Sequence, residues 1–108
     1  MSEEFDNDSG GELVLDKTPA REKMKEPPKW AVVMLNDDYT PMEFVVQLLV
    51  NLFRKSTDEA EAIMWDIHKK GKGIAGVYTR DIAETKMLQA NATAQKHKHP
   101  FKCVTEQA

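Results

Sequence analysis

Asn36, Asp37 and Asp38 stand in a row at the end of an apolar run and directly before a helix start at Thr40-Pro41-Met42-Glu43. Side chains this rich in lone pairs have two uses. Asn and Asp bond their own backbone in turns, and a cluster of acceptors also holds a cation that brings several N–H donors. His68 is the second clue. It follows Met64 by four residues on an otherwise apolar helical stripe, where an imidazole is either a paired boundary group or, when unprotonated, one more acceptor. An acceptor-rich loop, a neutral imidazole and a rim of Met42, Val45 and Met64 complement an ammonium group attached to an apolar body. The free α-amine of a protein whose first residue is apolar is such a group.

Other motifs fail on context. Gly71-Lys72-Gly73-Ile74-Ala75-Gly76 matches G-x-G-x-x-G by letter, but the dinucleotide version leaves a strand and enters a helix. Here the order is reversed, so Gly71 is read as a helix end and Gly73 and Gly76 as points of close backbone passage. His97-x-His99 with Cys103 lacks the spaced fourth ligand of structural zinc motifs. Cys103 has no evident base beside it and is assigned to the core. No catalytic triad, carboxylate pair or phosphate loop assembles, so neither enzymatic activity nor a cofactor or metal is expected.

The elements that must position these groups follow from periodicity. WAVVML, residues 30–35, is a short β-branched run after a diproline and predicts a mostly buried strand. Thr40 as N-cap, Pro41 at the first helical position and Glu43 three residues after the cap predict a helix start. Phe44, Val45, Leu48, Leu49, Leu52 and Phe53 form its inward stripe, ending near Lys55. A second capping box, Ser56 to Glu59, opens a helix with Ala60, Ile63, Met64, Ile67 and His68 inward, ending at Gly71. The pair forms an αα-hairpin. Residues 73–78 predict a second strand. Thr79 and Asp81 start a third helix running to about Gln95, with Ile82, Ala83, Met87, Ala90 and Ala94 inward, and residues 101–106 predict a last strand. The expected fold is α+β, β-α-α-β-α-β: a small three-stranded antiparallel sheet with three helices on one face.

Composition agrees with one soluble domain. The 108 residues are 41% hydrophobic and 31% charged, which excludes a disordered polyelectrolyte or a collagen-like chain. Residues 1–29 carry five Lys/Arg against eight Asp/Glu, while residues 30–108 carry ten of each, so all the excess negative charge sits in the first segment. A neutral domain with an acidic leader lacks the cationic field that nucleic acids or anionic membranes attract. Neither is an expected partner. Only seven of the first 29 residues are hydrophobic, so residues 1–29 are expected to be a flexible N-terminal extension and residues 30–108 the folded core. Leu13-Val14-Leu15 is a candidate docking element within that extension. The acidic start, Met1-Ser2-Glu3-Glu4, is unlike a secretion signal, and a cytoplasmic location is expected.

Residues 36–45 (NDDYTPMEFV), His68 followed by Gly71, Gly76-Val77-Tyr78-Thr79, Ala83-Glu84-Thr85-Lys86 and His99-Pro100 with Cys103 together resemble the ClpS family of bacterial N-degron adaptors. The likeness covers residues 30–106. It implies a non-enzymatic component that binds proteins beginning with Leu, Phe, Tyr or Trp and hands them to the ClpA unfoldase of the ClpAP protease. It further implies that Asn36, Asp37 or Asp38, and His68 hold the α-amine. The pocket for the side chain would comprise Leu35, Thr40, Met42, Val45, Met64, Ile67 and Phe101, with Met42 as a gatekeeper against β-branched first residues. Asp81 and Lys86 would meet the N-terminal domain of the ATPase, and the leader would assist delivery. Phe101 stands where the family commonly has leucine and Ile67 where valine is usual, which adds bulk beside the pocket. Two rival readings use the same residues: a scaffold that docks a partner helix or strand edge, with 36–39 only a turn, and a metal-dependent enzyme built on Asp37, Asp38 and His68.

Overall fold

The computed structural model describes residues 27–108. The extension assigned to residues 1–29, with Leu13-Val14-Leu15, therefore lies outside the described residues apart from its last three. The elements are β1 (Lys29–Leu35), α1 (Met42–Asn51), α2 (Thr57–Lys70), β2 (Lys72–Thr79), α3 (Arg80–Lys96) and β3 (Cys103–Gln107). The order is β-α-α-β-α-β. The three strands form one antiparallel sheet with β1 in the middle, between β2 and β3.

The central place of β1 explains its unbroken apolar run. Both of its edges are paired, and Ala31, Val32, Val33 and Met34 are all 4% exposed or less. Val32 and Met34 join the core built with Leu48 and Leu49 of α1, Phe53 in the turn after it, Met64 and Ile67 of α2, and the alanines of α3. Those alanines, Ala83, Ala90 and Ala94, are fully buried. A face without bulk lets α3 lie close to the sheet, each small side chain still removing its methyl from water. Gly73 serves the same end on the other side. A Cβ there would stand 2.8 Å from Ile67 Cγ1 and 3.3 Å from the Ile63 carbonyl, so its absence lets α2 pack directly on β2.

α2 starts and stops by its own local chemistry. Ser56 Oγ accepts from the Glu59 N–H at 3.1 Å and Glu59 Oε1 accepts from the Ser56 N–H at 3.0 Å. The Ser56 backbone bond holds the Glu59 carboxyl below its usual range. At the other end Gly71, at φ +90°, takes the left-handed conformation that closes a helix, its N–H bonded to the Ile67 carbonyl at 2.9 Å.

Several boundaries differ from the sequence expectation. α1 begins at Met42 with Pro41 as its cap residue, because the Pro41 carbonyl accepts the first ladder bonds from Phe44 and Val45. Thr40 is one position too early to cap, and its hydroxyl turns to Asp37 instead. α1 also ends at Asn51, ahead of Lys55. Arg54, at φ 58°, then turns the chain, and the Lys55 N–H closes on the Leu49 carbonyl. Ile82, expected inward, is 48% exposed, since α3 rides on the neighbouring Ala83 line. The last strand begins at Cys103, with Phe101 and Lys102 in the segment leading into it.

Candidate functional site

Two backbone bonds bring distant segments to the end of β1, and one side-chain bond within the following loop fixes its shape. The Leu35 N–H donates to the Lys102 carbonyl at 3.1 Å, and the Asn36 N–H donates to the Gly71 carbonyl at 2.9 Å. The Thr40 hydroxyl donates to the Asp37 carboxylate. The left-handed turn at Gly71 thus places the last turn of α2 beside the loop after β1, while Lys102 draws the preceding Phe101 to the other side.

Between these segments lies a cavity of about 160 Å³, bordered by Leu35, Asn36, Asp37, Asp38, Thr40, Met42, Val45, Met64, Ile67, His68 and Phe101. Its interior is apolar. Val45, Met64, Ile67 and Phe101 are 4 to 9% exposed and supply hydrocarbon and ring surface, with Thr40 the one buried polar residue among them. An apolar cavity of ~150 Å³ admits a benzene ring, so this space suits a single aromatic or branched side chain. The mouth is polar on one side and apolar on the other, where Met42 is 42% exposed.

The acceptor loop divides its labour. Asp37 takes the turn role, because its carboxylate accepts from Thr40. The Asn36 amide, the Asp38 carboxylate and the His68 imidazole have no hydrogen-bond partner among the described residues. All three are exposed. For His68 this corrects the sequence expectation, which put it on the inward stripe. The buried line of α2 is Ala60, Met64 and Ile67; His68 lies one position further round and reaches the rim, edge-on to Trp65 with ring centroids 5.7 Å apart.

Sequence reasoning missed the supports behind the cavity. Phe44 packs edge-on against Phe101 at 6.2 Å and against His99 at 4.7 Å, so a small aromatic cluster backs the Phe101 ring. Asn91 of α3 clamps Cys103: its Oδ1 accepts from the Cys103 N–H at 2.7 Å and its Nδ2 donates to the Cys103 carbonyl at 3.1 Å. Phe44 lies on the predicted inward stripe, but the period does not name the rings it meets, and Asn91 leaves no periodic trace at all. Cys103 itself is 2% exposed, and burial pushes its thiol up to about 12, which removes it as a nucleophile near neutrality.

Asp81 and Lys86 lie on α3 and do not border the cavity. Asp81 is exposed in the first turn of the helix. Lys86 is half-buried; its ammonium donates to the Leu52 carbonyl at 2.9 Å and stands 5.6 Å from the centre of the Tyr78 ring. It closes the turn after α1 by taking an orphan helix-end carbonyl.

Comparison with known proteins identifies what this arrangement is similar to. Residues 25–104 match the family model described as ATP-dependent Clp protease adaptor protein ClpS. The chain is 54% identical over 90 residues to the ATP-dependent Clp protease adapter protein ClpS of Deinococcus radiodurans, covering 83% of this chain and 80% of that one. It is 44% identical to the corresponding adapter of Methylococcus capsulatus over the whole of both chains. Among solved structures, Agrobacterium tumefaciens ClpS2 bound to L-phenylalaninamide superposes with a TM-score of 0.74 at 38% identity, covering 77% of this chain and all of the other.

Proposed function

The chain belongs to the ClpS family of adaptors for the ATP-dependent Clp protease, which are not enzymes, and from that premise we propose that its cavity captures proteins by their first residue. The first side chain, Leu, Phe, Tyr or Trp, enters the apolar interior. The α-ammonium stays at the mouth and donates to the Asn36 side-chain oxygen, the Asp38 carboxylate and an unprotonated His68 nitrogen. The captured protein then passes to a ClpA-type unfoldase, whose N-terminal domain meets the surface around Asp81, with Lys86 holding the underlying turn. Unfolding and cleavage belong to those partners, in the cytoplasm. Among the described residues no helix is long and apolar enough to cross a membrane.

One observation carries this reading: an apolar cavity of about 160 Å³ with three acceptors at its mouth that have no hydrogen-bond partner among the described residues. An ammonium has three donors and no acceptor, so the count and the chemistry correspond. The L-phenylalaninamide held by the Agrobacterium relative has the same two parts, a free α-amine and an apolar side chain.

The test is a titration with peptides that begin with Phe, with the amine free or acetylated. Acetylation removes the positive charge and leaves the acceptors facing a bulky neutral group. Losing two charge-assisted hydrogen bonds at about 1.5 kcal/mol or more each predicts a loss of at least about a hundredfold in affinity. Equal binding of both peptides refutes the proposal. His68→Ala is expected to weaken the free-amine peptide by about tenfold or more while leaving the thermal midpoint in place, since the imidazole is exposed and has no hydrogen-bond partner among the described residues.

A further inference from the structure

Large apolar side chains exposed on this protein are not spread evenly. Of the seven among the described residues, Tyr39, Met42 and Trp65 belong to the segments that build the cavity mouth. Trp65 is 47% exposed. It does not border the cavity, so a first side chain lodged inside would not touch it. It is nevertheless tied to the mouth through His68, with the two rings perpendicular at 80° and their centroids 5.7 Å apart. An indole held edge-on to an imidazole of the cavity lining leaves apolar ring surface exposed next to the mouth.

We propose that Trp65 is the shelf for the second side chain of the bound protein, so that selection reads two residues and favours an aromatic or branched aliphatic residue at the second position. This rests on the reading that the cavity takes the first residue. Consecutive Cα atoms are 3.8 Å apart, and successive side chains of an extended chain point to opposite sides. With the first side chain inward and its amine at His68, the second Cα stands about 4 Å further out and its side chain turns away from the cavity, along the surface that Trp65 flanks. Glu61 and Lys69 stand four residues to either side of Trp65 on α2 and carry opposite charges, so apolar contact, not net charge, sets the preference.

The experiment compares L-phenylalaninamide with peptides that begin Phe-Gly and Phe-Leu, titrated against the full chain and its Trp65→Ala variant. The Phe-Leu peptide is expected to bind about threefold to tenfold more tightly than Phe-Gly. Trp65→Ala is expected to erase that difference by weakening Phe-Leu selectively. A Trp30→Phe background leaves Trp65 as the sole tryptophan, and its emission should shift more with Phe-Leu than with L-phenylalaninamide. Equal affinities for Phe-Leu and Phe-Gly in the unsubstituted protein overturn the proposal. So does an equal loss for L-phenylalaninamide and Phe-Leu on Trp65→Ala, which would make Trp65 a positioning residue for His68. L-phenylalaninamide failing to bind the unsubstituted protein refutes the cavity reading itself and this proposal with it.

Discussion

Replacing Asn91 with alanine should cost far more stability than its half-buried place on α3 suggests. β3 is an edge strand, and the outward N–H and carbonyl of an edge residue have no strand to pair with. At Cys103 both are taken by the Asn91 amide, at 2.7 and 3.1 Å, in a residue only 2% exposed. Removing the amide leaves a donor and an acceptor out of reach of bulk water. At about 1 to 3 kcal/mol for each of the two unpaired groups, the loss is about 2 to 6 kcal/mol, a large share of the ~5 to 15 kcal/mol that holds a domain folded. Urea denaturation followed by far-ultraviolet circular dichroism measures it as a lower midpoint with an unchanged slope. The cost should also reach the site, because Phe101 lies two residues before the clamp and borders the cavity. Folded Asn91→Ala is therefore expected to bind a Phe-initiated peptide more weakly, although Asn91 touches no ligand. A stability loss below about 0.5 kcal/mol would mean that water replaces the amide at the strand edge, refuting the argument.

Met42→Ala removes the apolar side of the mouth and is expected to raise affinity for peptides beginning with Ile or Val by about tenfold; a variant that still excludes them would place the gate elsewhere. Gly73→Ala sets a methyl 2.8 Å from Ile67 and 3.3 Å from the Ile63 carbonyl. Because the second of these is helix backbone that no rotamer change relieves, a destabilisation of about 1 to 3 kcal/mol is expected, with weaker peptide binding through the displaced Ile67; wild-type behaviour in both assays would contradict the packing described. The Cys103 thiol is raised from 9.0 to about 12 by burial. Its contribution to stability is complete below pH 9.0 and is lost as pH rises toward about 12, because only the unfolded thiol ionises in that window. Urea midpoints between pH 8 and 10 should fall less steeply for Cys103→Ala than for wild type, and parallel curves would sink the assignment.

Much of the architecture is legible in short windows of sequence. The run WAVVML marks the central strand because a strand paired on both edges is buried throughout. Ser56, Glu59 and Gly71 mark both ends of α2 because capping and the left-handed closure act within four residues. The apolar 3.6-residue periods of α1 and α2 likewise point their stripes at the core. The segment from Asn36 to Asp38 also announces itself, since acceptors crowded at a strand end are unusual chemistry wherever the chain goes next.

What local pattern could not decide is which groups stay available at the mouth and what stands behind it. Only the folded chain shows that Asp37 spends its carboxylate on Thr40 while Asn36 and Asp38 find no side-chain partner among the described residues. Only there does His68, read as inward, come out to the rim, for a single step round a helix separates a buried position from an exposed one. The bond from Asn36 to Gly71, the Asn91 clamp on Cys103 and the Phe44 brace behind Phe101 join residues far apart along the chain. Such closures arise from the way β1, α2, α3 and the approach to β3 pack around one core. Periodicity records which face of an element is apolar, and composition records that a core exists. The partner each face meets is set by packing in three dimensions, and there this protein's cavity is made.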